Sequence, residues 1–558
     1  MDPRLKHLVL TLFLPALITV FRLCARFLPM RRPPLWRSFW SLWRQLARRP
    51  FWAALVLCAL PASACLMYAI KRGPPVPFVH DEFSYLLAAG TFASGRLTNP
   101  THPMWVHFES FHIIQRPTYM SMYPPAQGLA LAAGLLMGRA WYGVILSSLL
   151  ALLLLWWAAR QWLPSRWALL AGLFAALLFT GTSWSLGYYG GSVNAAAGAL
   201  VVGSAGILRK RPSTFALVLF ASGIVLCANS RPYEGLVLVL LVSSWLLIRL
   251  FNPGGASRQA YARASFPAVL VLAAGAASTL TYNHAVTGNP LRLPYQEAYS
   301  QYFSGGRFLF ESPESTPVYR HAVLRGFYRH LNHAGWKPAT RFYYNLLTIQ
   351  SFYLGEILFV LFPLALFALG PSTARPALLI AFAGAAAMAV VPVTLPHYFA
   401  IFAGVFLIAC VHSVRWLASR SAAGRRPGWL LLFAVLCLLS CEFGERFSSV
   451  LYRDWYHQRE WALRRASIEQ RLLDTPGEHL VIVNYQADHR AVDEWVYNRA
   501  DIDSARIVWA RGMDPANDNA IRRYFAARRA WIIDGDANPV QLIPFGDSPG
   551  RNSVSPSP

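Results

Sequence analysis

The feature that most constrains this chain is its series of apolar runs, each close to the length of a bilayer crossing. A helix needs about 20 apolar residues to cross the hydrocarbon core, with about 17 as a practical floor. Runs near that length occupy 51–70, 141–159, 167–186, 192–208, 213–229, 234–250, 265–282, 344–369, 376–394, 397–417 and 428–443. The hydrophobic share is 55% and only 14% of residues are charged, against about 25% in a soluble domain. Backbone polar groups in lipid must pair within their own segment, which favours helices. The chain therefore reads as an all-α polytopic membrane protein of about 11–12 transmembrane helices.

Charge supplies the orientation. The net charge is +25, from 51 Lys and Arg against 26 Asp and Glu. The basic residues do not form a soluble basic domain, so no nucleic-acid partner is expected. They sit in short loops instead, where cations mark the cytoplasmic side and meet anionic lipid of the bilayer. With Arg44, Arg48 and Arg49 inside, Arg160 and Arg166, Arg209-Lys210-Arg211, Arg258 and Arg263, Arg375, and Arg415 with Arg420 all fall inside too. The opposite loops, 187–191, 229–234 and 395–397, carry one cation, Arg231, while Lys71-Arg72 begin a longer outer loop. Residues 126–138 are too short to span and read as an external interfacial helix. Loops 71–140 and 283–343 and the tail from about 445 then share the outer side.

Four segments follow from this map. Residues 1–50 are a basic N-terminal segment, interfacial or with one extra span over 8–28. Residues 51–443 form the transmembrane domain, 444–546 a small outer α/β domain, and 547–558 a disordered Pro/Ser-rich tail. Within the tail domain, strands are expected at 479–485, 506–510 and 530–534, with helices near 491–499 and 518–529. That alternation suggests a parallel sheet. Gly535 stands without the glycine partners of a nucleotide-binding loop. The seven cysteines lie in or beside apolar segments without metal-ligand spacing.

Polar residues collect in the outer loops. His80-Asp81-Glu82-Phe83-Ser84-Tyr85 places two carboxylates about ten residues past the first span. They can serve as a helix N-terminal cap or as a general base for an acceptor hydroxyl. Downstream lie His102, Trp105, His107, Glu109, His112, Gln115, Arg116 and Tyr119, then Tyr123-Pro124-Pro125. The His/Glu spacing fits no standard zinc pattern; sugar faces are a commoner partner for such aromatic loops, so no metal site is assigned. Further clusters are Tyr188 and Tyr189 with Asn194, Arg231 with Glu234, and His397-Tyr398. Arg231 departs from the charge rule and needs an anion, either Glu234 or a phosphate.

Together these residues resemble the GT-C glycosyltransferases, membrane enzymes that take sugar from polyprenyl-phosphate carriers. Lipid A aminoarabinose transferases, protein O-mannosyltransferases and bacterial lipopolysaccharide-core glycosyltransferases look similar over Asp81-Glu82 and the turn 123–128. The resemblance implies an inverting transfer from a polyprenyl-phosphate sugar to an envelope glycan, lipid or protein, on the outer face of a bacterial inner membrane. Asp81 would be the base and Glu82 its support. Tyr85, His102, His107, Arg116, Tyr123, Tyr188, Tyr189, Asn194, Arg231, Glu234, His397 and Tyr398 would contact substrate. No cofactor is required, a divalent metal being an option. One departure is Met122, where many relatives carry a phosphate-binding lysine; the phosphate then falls to Arg231, Arg116 or His397. Two other classes remain: a transporter or flippase, with ionisable groups at Glu356 and Glu442 inside the spans, and an O-antigen ligase or polymerase.

Overall fold

The computed structural model describes residues 34–251, 258–312, 317–330, 337–366, 374–419, 428–452 and 460–546. The expected span at 8–28 and the expected disordered tail lie outside them. The protein is a mostly helical, multi-pass membrane protein with a small C-terminal sheet. Six helical stretches among the described residues are long and apolar enough to cross a membrane: Pro50–Arg72, Ala140–Trp162, Gly191–Leu208, Gln259–Thr287, Pro338–Ala365 and Pro396–Ser419. Shorter apolar helices are Pro125–Leu136, Ser165–Phe179, Thr214–Ala228, Pro232–Ile248 and Arg375–Val390.

The chain divides into two units. The first comprises 1–73, 144–278 and 335–453. Its core is built on Leu155, Phe174, Tyr353, Phe399, Phe402 and Phe406. Small residues let backbones approach there: a Cβ on Gly198 would stand 1.8 Å from the carbonyl oxygen of Ile401. Two expected spans are interrupted. The run 167–186 stops at Phe179, because Gly181 turns left-handed at φ +73° and Thr182 caps a short turn, Ser183–Leu186. The run 344–369 passes through a π-helical segment, Ile349–Leu354, and restarts at Gly355, whose φ of +58° a side chain rarely adopts. A Cβ on Gly355 would lie 2.6 Å from the carboxylate of Glu442.

The second unit gathers three distant segments, 74–143, 279–334 and 454–558. Its first segment holds the helix His80–Ala93, three short strands and the helix Pro125–Leu136. The strands β1 (Asn99–Pro100), β2 (Ile113–Ile114) and β3 (Thr118–Ser121) pair antiparallel in the order β1-β3-β2. The tail contributes β4 (His479–Asn484), β5 (Ile507–Arg511), β6 (Arg529–Asp534) and β7 (Ile543–Pro544), in the order β5-β4-β6-β7. β4 pairs parallel with both β5 and β6, as the alternating pattern predicts, and β7 closes one edge antiparallel. One core joins the tail to the first loop: Phe83, Phe108 and Tyr119 pack with Trp461, Trp495, Tyr497 and Trp509.

The helix expected at 491–499 is not formed. That stretch turns at 491–493 and then runs on without regular structure, with backbone groups of 495–497 taken by side chains rather than by a helical ladder. Tyr485 accepts from the Trp495 amide and Glu494 from the Val496 amide, while Arg465 donates to the carbonyls of Trp495 and Tyr497. Burial of Trp495, Val496 and Tyr497 outweighs local helical preference. The second expected helix spans Pro515–Tyr524, started by Asp514 accepting from the Ala516 and Asn517 amides.

Candidate functional site

Helix His80–Ala93 begins at the acidic pair, so both carboxylates lie in its first turn, where the helix dipole favours anions. They do different things. Glu82 is 1% exposed and accepts from the backbone amides of Phe78 (2.9 Å) and Val79 (3.1 Å), tying down the chain that enters the helix. Asp81 makes no such cap. Its Oδ1 faces His112 Nε2 at 3.6 Å, each side chain about one-tenth exposed. Among the described residues no lysine or arginine pairs with Asp81.

His112 was not among the residues singled out for substrate contact, and its backbone carries the clearest mark of a constrained site. It is the one non-glycine residue with positive φ among those described, at +59°. Such a conformation costs about 1–3 kcal/mol and persists only where surroundings hold it. Its carbonyl accepts from Ser84 Oγ (2.6 Å) and the Met122 amide (3.2 Å), and its own amide donates to Tyr328 Oη (3.3 Å). The imidazole Nδ1 lies 3.4 Å from the sulfur of Met122. Burial pushes the His112 pKa down, with Asp81 pulling the other way, so the ring opposite the carboxylate is a neutral imidazole at neutral pH. His80 is held further below the usual range by burial; its Nδ1 meets Tyr497 Oη at 2.6 Å. Tyr85 and Tyr123 stack at 4.5 Å between centroids, and the Tyr123 carbonyl accepts from Tyr282.

Two expected sugar-binding histidines are buried connectors. His102 reaches Asp503 at 3.2 Å and accepts from the Met104 amide, and His107 Nδ1 lies 3.0 Å from the Arg511 carbonyl oxygen. These separate partners explain why no group of three metal-ligating side chains gathers among the described residues. Arg116 instead lines a cleft of about 450 Å³ with Trp105, Glu109, Gln301, Tyr302 and Arg320.

The remaining expected residues belong to the first unit. There Asn194 donates to the His397 carbonyl at 3.2 Å, and the Tyr189 and His397 rings lie 5.2 Å apart. The Arg231 guanidinium lies 3.8 Å over the Tyr398 ring and 3.9 Å from Glu234. Tyr188 is buried in the same turn. A second buried arginine, Arg341, bonds Thr394 at 2.6 Å, and Thr394 donates to Asn345. Arg341 follows a Pro in a polar stretch, and its role was not legible without the fold. The sequence candidates therefore fall into two groups. Asp81, Glu82, Tyr85, His102, His107, Arg116 and Tyr123 are in one unit; Tyr188, Tyr189, Asn194, Arg231, Glu234, His397 and Tyr398 are in the other.

No family model matches the chain, and no curated protein does. Among solved structures, it is similar to the oligosaccharyltransferase of Archaeoglobus fulgidus. A crystal structure of that protein with zinc and sulfate superposes at a TM-score of 0.40 and 12% identity, covering 85% of this chain and 67% of that one. A second structure of it, in complex with an inhibitory peptide and a dolichol-phosphate, gives 0.38 and 12% over 86% and 69%. At this distance function has to come from the chain's own residues.

Proposed function

We propose that the protein transfers a sugar from a polyprenyl-phosphate donor to an envelope acceptor on the outer face of a bacterial inner membrane, with Asp81 as general base. The observation that carries this reading is Asp81 itself: a carboxylate in the first turn of a loop helix, uncapped, without a cationic partner among the described residues, facing a neutral imidazole. An acceptor hydroxyl must lose its proton as its oxygen bonds the anomeric carbon, and a carboxylate within hydrogen-bond reach can take it. The bond broken joins the anomeric carbon to the lipid phosphate, which leaves as an anion and needs a cation. Arg231 is the candidate for that phosphate, buried beside Tyr398 and at the outer limit of ion pairing with Glu234. Glu82 supports the helix start instead of reacting. Segments 71–140, 283–343 and 445–558 lie outside in this reading, because the cation-rich short loops lie inside. No cofactor is assigned; a divalent metal stays an option, with Asp81 the carboxylate that would meet it.

The test is incubation of the purified protein with labelled polyprenyl-phosphate sugars, scoring release of the lipid phosphate. Asp81→Asn is expected to lower turnover by about 10²–10⁴ with unchanged melting temperature. Near-normal turnover would reduce Asp81 to a structural acid.

A transport reading has one observation in its favour. The helix break at Gly355 adjoins Glu442, and Glu356 accepts from Gln350 at 2.8 Å; interrupted helices with ionisable groups occur in transporters. Under that reading Glu442→Gln abolishes function and Asp81→Asn does not.

A further inference from the structure

The cleft on the second unit has a chemistry that the transfer step does not use. Its volume, about 450 Å³, is that of a small-ligand site. Glu109 lies at its lining with 2% exposure; its Oε2 accepts no hydrogen bond among the described residues and stands 3.4 Å from His321 Nε2, which donates to the Val106 carbonyl at 2.8 Å. Oε1 accepts from Tyr302 Oη at 3.2 Å and meets Arg320 at 3.5 Å. Burial pushes the Glu109 pKa up against those cations. Two guanidinium groups, Arg116 and Arg320, converge on one indole, at 5.5 and 4.6 Å from the Trp105 ring. Arg320 is 47% exposed and only loosely tied to Glu109, whereas the other lining carboxylate, Glu297, is taken by Arg292 at 2.8 Å and by Gln301. The cleft thus holds exposed positive charge and, at its lining, a buried carboxyl group with one oxygen that accepts no hydrogen bond among the described residues.

We propose that this cleft binds an acidic sugar residue of the acceptor glycan, with its anionic group on Arg116 and Arg320 and a ring hydroxyl on Glu109. A planar guanidinium takes a carboxylate or phosphate through two parallel hydrogen bonds. A buried carboxyl group with an unused oxygen takes a hydroxyl. The inference rests on the glycosyl-transfer reading for the word acceptor. A run of contacts leads from the cleft to Asp81: Tyr302, bonded to Glu109, stacks on Tyr328 at 5.6 Å, Tyr328 accepts the His112 amide, and His112 faces Asp81.

The experiment measures binding to the full-length protein in nanodiscs by titration calorimetry, separately from transfer. The probes are a galacturonate trimer, the matching neutral galactose trimer, glucose 6-phosphate and inorganic phosphate. The expected result is at least tenfold tighter binding of an acidic saccharide than of the neutral trimer. Arg116→Gln, at an exposed position, and Arg320→Gln should each weaken it about tenfold or more with unchanged melting temperature. Preference for the uronate or for the sugar phosphate identifies which anion the site takes. Equal binding of the neutral trimer, binding of inorganic phosphate as tight as that of either saccharide, or binding indifferent to both arginines overturns the proposal. Transfer that persists while acidic saccharides fail to bind refutes the subsite alone. Arginine-dependent binding without any transfer refutes the glycosyl-transfer reading alone.

Discussion

Replacing Glu494 with Gln removes one charge from the most buried ion pair in the second unit while keeping nearly the same shape. Glu494 is fully buried and lies 2.6 Å from Arg511, itself 3% exposed at the side chain. Its other oxygen accepts from Tyr485 (2.6 Å) and the Val496 amide (2.7 Å), and Arg511 also donates to the Glu109 carbonyl at 3.1 Å. The substitution therefore leaves a buried guanidinium without its close counter-charge and unsettles the irregular segment that stands where a helix was expected. Breaking a buried pair from one side costs about 3–5 kcal/mol. That corresponds to about 10²–10⁴-fold faster amide exchange wherever protection depends on this unit staying closed. The amides to follow are those of Val481, Ile482 and Val483 in β4, which are fully buried. The double variant Glu494→Gln/Arg511→Met should recover much of the loss, because it removes the unpaired buried guanidinium while the glutamine oxygen still accepts from Tyr485 and the Val496 amide. Exchange within threefold of the parent, or a double variant exchanging as fast as the single, would refute the assignment of this pair as the unit's electrostatic centre.

Glu82→Gln should cost about 0.5–2 kcal/mol of stability through a weaker helix start, read as a lower melting temperature, yet retain far more turnover than Asp81→Asn; equal activity losses would make the two carboxylates functional equals. Arg231→Ala should weaken donor binding with Glu234→Gln nearly silent, and Arg231→Lys should restore little because an ammonium lacks the planar fork; matched stability losses with unchanged donor affinity would leave only the ion pair. Stability of the second unit should fall as pH drops from about 6.5 towards 4, because burial lowers the pKa of His80, His112 and His321, the last to about 4, so the unfolded chain binds more protons there. Glu109, raised by burial, acts in the opposite sense, and Glu109→Gln should therefore steepen the acid loss in thermal melts; a flat profile would contradict neutral histidines. Impermeant maleimide applied to intact cells should label both Ser94→Cys and Ser504→Cys, two exposed positions, and protection of either would overturn the proposed topology.

Most of the helices were legible because each rests on local information: apolar length, a flanking cation, a proline at the entry. The strands at 479–484 and 529–534 were legible for the same reason, being short β-branched runs between polar turns. What failed was set by distant partners. Segment 491–499 reads as a helix alone, but Arg465 and Tyr485 supply its hydrogen bonds. The break at Gly355 had a visible signal in a lone glycine, outweighed by the apolar run around it. At the site, the acidic pair stood out, but the division of labour between Asp81 and Glu82 depends on which one the backbone of Phe78 and Val79 occupies. His112 could not be ranked above its neighbouring histidines, since its left-handed backbone is imposed by Ser84, Met122 and Tyr328. The cleft was least legible: Glu109 meets residues nearly two hundred positions or more away.

The second unit's construction also bears on when the protein becomes competent. Its first segment ends at residue 143 and its last begins at 454. At about 5–20 residues per second, synthesis separates them by about 15–60 s. During that interval the first loop has been made but Phe83, Phe108 and Tyr119 lack the tryptophans that will cover them. A ribosome-bound chain thus presents a sticky half-built surface, and a chain cut short anywhere before β4 inserts its helices without ever completing the carboxylate's surroundings. The second unit is therefore completed only late in translation, and the half-built loop is the species a chaperone or protease would meet.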